Sequence, residues 1–295
     1  MQYFITLLIC TTMAISSDGI LSGITYFDFI SSDDSTAFNF QRQYFSYAIN
    51  IPDDIKFTLV FDVGRTDEDA RLVAFLKKAQ IEYKTSIGKV SMGLIGMTTH
   101  AVQEKNWGNR FIEKSAMDKN KYSTSADLGI GFSRQLKDNL NISLQIVNGE
   151  GYKEPQGNKQ MKISFNTTYG EVKLNKNDGY NAGIVYSTEG SESAPNKNMI
   201  SIFGGFAGKG SRLGAEYDIL HQGDTTANII SISANYGIKE NLDAFVRYDI
   251  YDPDTRYTYK IETYIVGDEV KYSSNYLIAG IIFNCGNSLS IAPNA

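Results

Sequence analysis

Beyond its first few residues, this chain of 295 residues has no apolar run that approaches the roughly 20 residues a membrane-spanning helix requires. If it crosses a membrane, it does so as strands. It has one Trp, two His and two Cys. Cys10 sits in what reads as a removable leader, so Cys285 would stand alone and no internal disulfide is expected. His100 and His221 fall in different loops, with no second imidazole or thiolate at ligand spacing, so no metal or cofactor site is expected. No Ser occupies a G-x-S-x-G elbow. In Gly204-Gly-Phe-Ala-Gly-Lys-Gly-Ser211, Phe203 and Gly210 stand where a phosphate-cradling loop needs Gly and Ser or Thr. Catalysis is therefore not expected. The net charge of -5 argues against a nucleic-acid partner, which asks for a concentrated basic face. No Pro/Gly/Ser-rich linker divides the chain, so one domain is expected over 18–295.

What is present is alternation. In Ile55-Lys-Phe-Thr-Leu-Val-Phe-Asp-Val63, Ile55, Phe57, Leu59, Phe61 and Val63 share one face of a strand, and Lys56, Thr58 and Asp62 share the other. Leu140–Ile146 and Leu242–Ile250 repeat the pattern. Tyr and Phe, 19 and 16 in number, favour strands and suit aromatic girdles at a membrane interface. One apolar and one polar face, kept over so many strands, predicts an all-β transmembrane barrel of about 14 to 16 antiparallel up-and-down strands, lipid outside and water inside.

The connections support this. Pro52–Asp54, Ser86–Gly88, Lys137–Asn139, Gly208–Gly210, Gly237–Asn241 and Gly286–Ser288 are short and rich in turn formers. Between them lie the longer polar stretches 101–125, 149–159, 189–197 and 252–273, with 171–178 too long for its place. Short periplasmic turns alternating with longer external loops are the asymmetry of outer-membrane barrels.

Residues 1–17 read as a secretory signal, with a lipoprotein cleavage site or a first strand as the other readings. At the other end, Ser288–Asn294 resembles the start of a fifteenth strand. Either the sheet closes at fourteen, or the chain lacks the end of a sixteen-stranded barrel; the second reading is favoured, because an open edge in hydrocarbon leaves backbone groups unsatisfied.

The third external loop, Ala101–Ser115 and beyond, carries Lys105, Trp107, Arg110, Glu113 and Lys114. Folded into the lumen, it would narrow the passage and place its charges on passing ions. On the strands, Arg42, Lys56, Asp62, Glu82, Asp243 and Arg247 fall on the polar face and should line water, since charge toward lipid costs roughly 2–4 kcal/mol near the midplane.

Several stretches in order along the chain resemble the bacterial outer-membrane porins related to the phosphate-selective porins. They are Phe38-Asn-Phe-Gln-Arg-Gln-Tyr-Phe-Ser-Tyr47, Trp107-Gly-Asn-Arg-Phe-Ile-Glu-Lys114, Ser125-Ala-Asp-Leu-Gly-Ile-Gly131, Val147-Asn-Gly-Glu-Gly-Tyr152, Val246-Arg-Tyr-Asp-Ile-Tyr-Asp-Pro253 and Ile291-Ala-Pro-Asn294. The resemblance implies a sixteen-stranded barrel, usually trimeric, in the bacterial outer membrane, with the third loop as the constriction. The expected function is passive diffusion of small hydrophilic solutes or ions, anions such as phosphate among them. A non-conducting structural or adhesive barrel and a secreted soluble carbohydrate-binding β-protein are the alternatives.

Overall fold

Hairpin follows hairpin without a crossover. The structure, a computed structural model, describes residues 19–31, 36–65, 71–136, 139–192, 194–253, 273–286 and 288–295. The proposed signal segment and most of the stretch 252–273 lie outside the described residues. One sheet of fifteen strands runs in strict sequence order, each strand antiparallel to the next. The strands are β1 (Ile20–Ser31), β2 (Thr36–Ile51), β3 (Ile55–Gly64), β4 (Val73–Thr85), β5 (Gly88–Gly96), β6 (Ala126–Gln135), β7 (Leu140–Val147) and β8 (Lys162–Gly170). They continue as β9 (Gly179–Glu189), β10 (Lys197–Gly208), β11 (Ser211–Gln222), β12 (Thr225–Lys239), β13 (Leu242–Asp252), β14 (Ser274–Cys285) and β15 (Leu289–Ile291). Two short helices, α1 (Ala101–Trp107) and α2 (Ala116–Lys119), interrupt the connection between β5 and β6.

The turns show why the register holds. Lys209 and Gly210, at φ 52 and 76, both adopt the left-handed conformation of a two-residue hairpin turn, and Gly208 pairs with Ser211 directly across it. With the turn fixed, the side-chain period of two fixes the faces.

Those faces are inverted relative to a soluble protein. Along β8, Lys162, Ser164, Asn166 and Thr168 are buried, whereas Ile163, Phe165 and Tyr169 are exposed. Along β13, Arg247 and Asp249 are buried while Val246, Tyr248 and Ile250 are exposed. A sandwich in water would expose the opposite set, so the soluble alternative fails on this pattern. Outward aromatics gather at the short-turn end of the sheet: Tyr83, Phe206, Tyr236 and Phe283 lie close to a short turn, and Tyr169 and Tyr180, which flank the connection 171–178 at the same end, pack at 6.2 Å between ring centroids. This is the girdle expected at a membrane interface.

The parity of the connections holds with two exceptions: the connection 171–178, long on the side of the short turns, and the two-residue turn Gly223-Asp224 on the side that otherwise carries the long loops. At the end of the sheet, closure at fourteen strands is not what is observed. β15 pairs along β14, and the chain continues beside it, with the Ala279 and Ala295 backbones exchanging hydrogen bonds at 3.0 Å. Among the described residues, β1 pairs with β2 alone.

Candidate functional site: the constriction loop

The connection from β5 to β6 folds inward, and its polar residues hold it there. It leaves β5 through Thr98, whose N–H and hydroxyl both donate to Gln145 Oε1, at 2.8 and 2.9 Å. α1 begins with the Glu104 N–H donating to the His100 carbonyl. It ends at Gly108, φ 75, the left-handed C-cap that glycine adopts without steric cost. Its buried residues, Val102, Gln103, Asn106 and Trp107, form one stripe.

That stripe docks on the wall of β9 to β13. Gln103 Nε2 donates to Ser201 Oγ at 3.2 Å, and Asn106 and Asn181 exchange amide hydrogen bonds at 2.9 Å each. The Trp107 carbonyl accepts from Arg212 Nη2 at 3.1 Å and Asn235 Nδ2 at 3.3 Å. Glycine makes this approach possible: a Cβ at Gly205 would stand 2.7 Å from Asn106 Nδ2.

Beyond α1 the loop turns toward β13 and β14. The Trp107 ring packs edge-on against Phe245 at 5.9 Å, the Arg247 guanidinium lies 5.1 Å from the indole centroid, and Trp107 Nε1 donates to the Glu113 carbonyl at 2.9 Å. Arg247 is bonded to the Asp249 carboxylate and donates to the Lys114 carbonyl. Glu113 accepts from the Tyr276 hydroxyl at 3.2 Å and pairs with Lys119 at 3.1 Å, and Lys119 lies over the Tyr276 ring. Burial alone would raise the Glu113 carboxyl, but Lys119, the Lys114 N–H and Tyr276 outweigh it and hold it below its ordinary value.

The anchored side fixes which wall faces the passage. On the facing wall, the Arg42 guanidinium pairs with Asp62, and the Tyr152 hydroxyl donates to the same carboxylate at 2.7 Å. Lys77 donates to the Tyr44 hydroxyl at 3.3 Å and lies 4.0 Å from Asp62. Lys77 is the extra residue of a β-bulge: Val60 pairs with Lys78 and Phe61 with Leu76. The bulge turns two consecutive lysines away from lipid. Glu104 and Arg110 of the loop act electrostatically on Tyr26 and Tyr44 of this wall.

Several sequence expectations need correction. Trp107 does not line the passage; at 3% exposure it anchors the loop. Arg247, 1% exposed, lies behind the loop and ties it down. Asp62 is wholly buried beneath Arg42 and Tyr152 and serves as their counter-charge. Glu113 is spent on the β14 wall, and Lys114 is held through its carbonyl. Lys105 and Arg110 remain at the rim, partly exposed, with Arg110 lying 3.4 Å from Glu104 and 3.6 Å from Asp118. Lys56, Glu82 and Asp243 sit near the short turns rather than at the loop; Glu82 pairs with Lys89, and Asp243 accepts from Asn284 at 2.9 Å. Arg42 stays on the facing wall. Sequence reasoning missed Lys77, although the break in alternation at Leu76-Lys77-Lys78 signals it, and it missed Glu104 and Asp118, which lie beside His100.

A strand sheet with an inverted face and a loop pinned across its interior defines the class: a porin-type transmembrane β-barrel fold. Solved structures agree. The chain is similar to OmpT, an outer-membrane protein of Vibrio cholerae in its trimer form, with TM-score 0.64 and 10% identity over 94% of this chain and 87% of that one. It is similar to OmpF of Salmonella typhi, with TM-score 0.63 and 11% identity over 94% and 87% of the two chains. It is also similar to the outer-membrane channel DcaP of Acinetobacter baumannii, with TM-score 0.63 and 10% identity over 94% and 90%. An anion-selective porin from Comamonas acidovorans aligns at TM-score 0.58 and 9% identity over 92% and 86%. No family model and no curated protein matches the sequence.

Proposed function

We propose that this chain is an outer-membrane porin, a passive diffusion channel for small hydrophilic solutes that favours small anions, phosphate among them. One observation carries the preference: the wall facing the loop is dominated by basic side chains, while the loop's own Glu104 and Asp118 share Arg110. Arg42, Lys77 and Lys78 stand on the facing wall against one carboxylate, Asp62, which is already paired. Toward the short turns, a cavity of about 570 Å³ is lined by Lys84, Lys89, Lys105 and Arg134, and no carboxylate lines it among the described residues. Cations in a narrow passage raise the local concentration of anions even when the whole chain is acidic. The likeness to an anion-selective porin and the resemblance to phosphate-selective porins support this reading, and the trimer form of the Vibrio protein supports a homotrimer.

The test is a planar-bilayer reversal potential in a salt gradient, first on the wild type and then on Lys77→Glu and Lys78→Glu. A unit charge about 6 Å from an ion in water contributes about 0.7 kcal/mol, so reversing one lysine amounts to about 1.4 kcal/mol for each ion, opposite in sign for anion and cation, or roughly a hundredfold fall in the anion-to-cation permeability ratio. A folded barrel that passes no current, a cation-selective wild type, or an unchanged ratio in both variants refutes the proposal.

A further inference from the structure

On the passage side of the loop, three ligand-type side chains come together. One ring nitrogen of His100 and one carboxylate oxygen each of Glu104 and Asp118 lie within 4.8 Å of one another. Helix geometry explains two of them: His100 caps α1 and Glu104 follows one turn later, so both face the same side. Asp118 is brought in by α2.

Two observations favour a ligand at this cluster. His100 is 3% exposed, and its Nδ1 is buried without a hydrogen-bond partner. Such atoms are rare in folded proteins. Arg110 bridges the two carboxylates at 3.4 and 3.6 Å, longer than the roughly 2.7–2.9 Å of a good charged hydrogen bond. The guanidinium thus neutralises half of the carboxylate charge from a distance and leaves the imidazole unserved.

We propose that His100, Glu104 and Asp118 form a binding site for a divalent transition-metal ion such as Zn²⁺, which displaces Arg110 from the two carboxylates. One imidazole and two carboxylates suit zinc and its first-row neighbours better than Ca²⁺ or Mg²⁺, which prefer oxygen alone. Ligands of a tetrahedral zinc stand about 3.4 Å apart, so the three side chains close by roughly an ångström once the guanidinium leaves. Three protein ligands leave the ion an open position for water or a passing anion. Binding replaces one positive charge among the carboxylates by two and frees Arg110, so the rim of the passage gains two positive charges.

The experiment uses the full-length folded protein in detergent, without a polyhistidine tag. Zn²⁺ binding is measured by calorimetry and by metal content after dialysis, and Co²⁺ is added as a spectroscopic probe of nitrogen ligation. The expected result is one Zn²⁺ per chain, at least about tenfold weaker in His100→Gln and in Asp118→Asn, and tighter in Arg110→Gln, where the competitor is gone. Mg²⁺ is expected not to compete. Absence of binding, binding unchanged in His100→Gln and Asp118→Asn, or binding lost only on replacing Cys285 or His221 overturns the proposal. In bilayers, Zn²⁺ is expected to raise the anion preference of the wild type but not of His100→Gln. This last readout rests on the channel reading. Specific Zn²⁺ binding to a silent barrel would refute the channel while leaving the site standing.

Discussion

Replacing Trp107 by Ala removes the hinge pin of the constriction. The indole is almost wholly buried between Phe245 and the Arg247 guanidinium, and its Nε1 holds the Glu113 carbonyl. Truncating a buried Trp costs about 3–5 kcal/mol in lost burial and cavity formation. The backbone tethers at position 107, from Arg212 and Asn235 to its carbonyl, survive the substitution, as do the Asn106–Asn181 and Gln103–Ser201 ties. The damage therefore falls on the segment 108–115 rather than on α1. A loss of about 3 kcal/mol raises the undocked population of that segment roughly a hundredfold. Single-channel recording is expected to show larger and noisier conductance steps, while the thermal unfolding of the barrel, whose ladder is untouched, shifts little. Trp107→Phe keeps the ring against Phe245, loses one hydrogen bond worth about 0.5–1.5 kcal/mol, and is expected to stay close to wild type. Steps of wild-type size and quietness in Trp107→Ala would refute the assignment of Trp107 as the anchor.

The Glu113–Lys119–Tyr276 tie gives a pH expectation. Because the folded-state pKa of Glu113 is depressed, the tie contributes fully above the ordinary carboxylate value, about 4.3, and is lost only as pH falls through the lower folded value. Channel noise is thus expected to stay flat from neutral pH to about 5 and to rise in more acid solution, with Glu113→Gln noisy throughout; a rise centred above pH 5 counts against it. On the alkaline side, burial places Lys119 below the ordinary lysine range although Glu113 opposes this, so the pair dissolves before a free lysine would titrate. Cys285 is exposed at the short-turn end of β14, beside a turn expected to be periplasmic. An impermeant maleimide is expected to spare it on intact cells and label it after permeabilisation of the outer membrane, with Cys285→Ser as control; labelling of intact cells would invert the topology.

Much of the barrel was legible because strand alternation is local. Lys56, Thr58 and Asp62 opposite Phe57, Leu59 and Phe61 reveal two faces, though not which one meets water. The parity of the loops decided that, and the buried Ser164 and Asn166 beside exposed Ile163 and Phe165 confirm it. The loop's inward fold was legible from its length and charge. Its attachment was not, since Asn106 meets Asn181 across 75 residues and Asn109 meets Asn235 across 126, and single amides leave no periodic trace. For the same reason Trp107 and Arg247 read as passage-lining residues: the sequence shows that they are inside, but not that each lies behind the loop against the other.

The surplus residue of β4 carries one more consequence. A strictly alternating ribbon gives every second position to the hydrocarbon, which caps how densely it can present charge to the aqueous side. At Lys77 that cap is lifted without disturbing either neighbour's pairing, because Leu76 and Lys78 oppose consecutive residues of β3. Excising the single codon would leave both halves of the hairpin in step and remove one cation. The permeation properties of this wall are therefore adjustable by one in-frame insertion or deletion, at no expense to the greasy exterior.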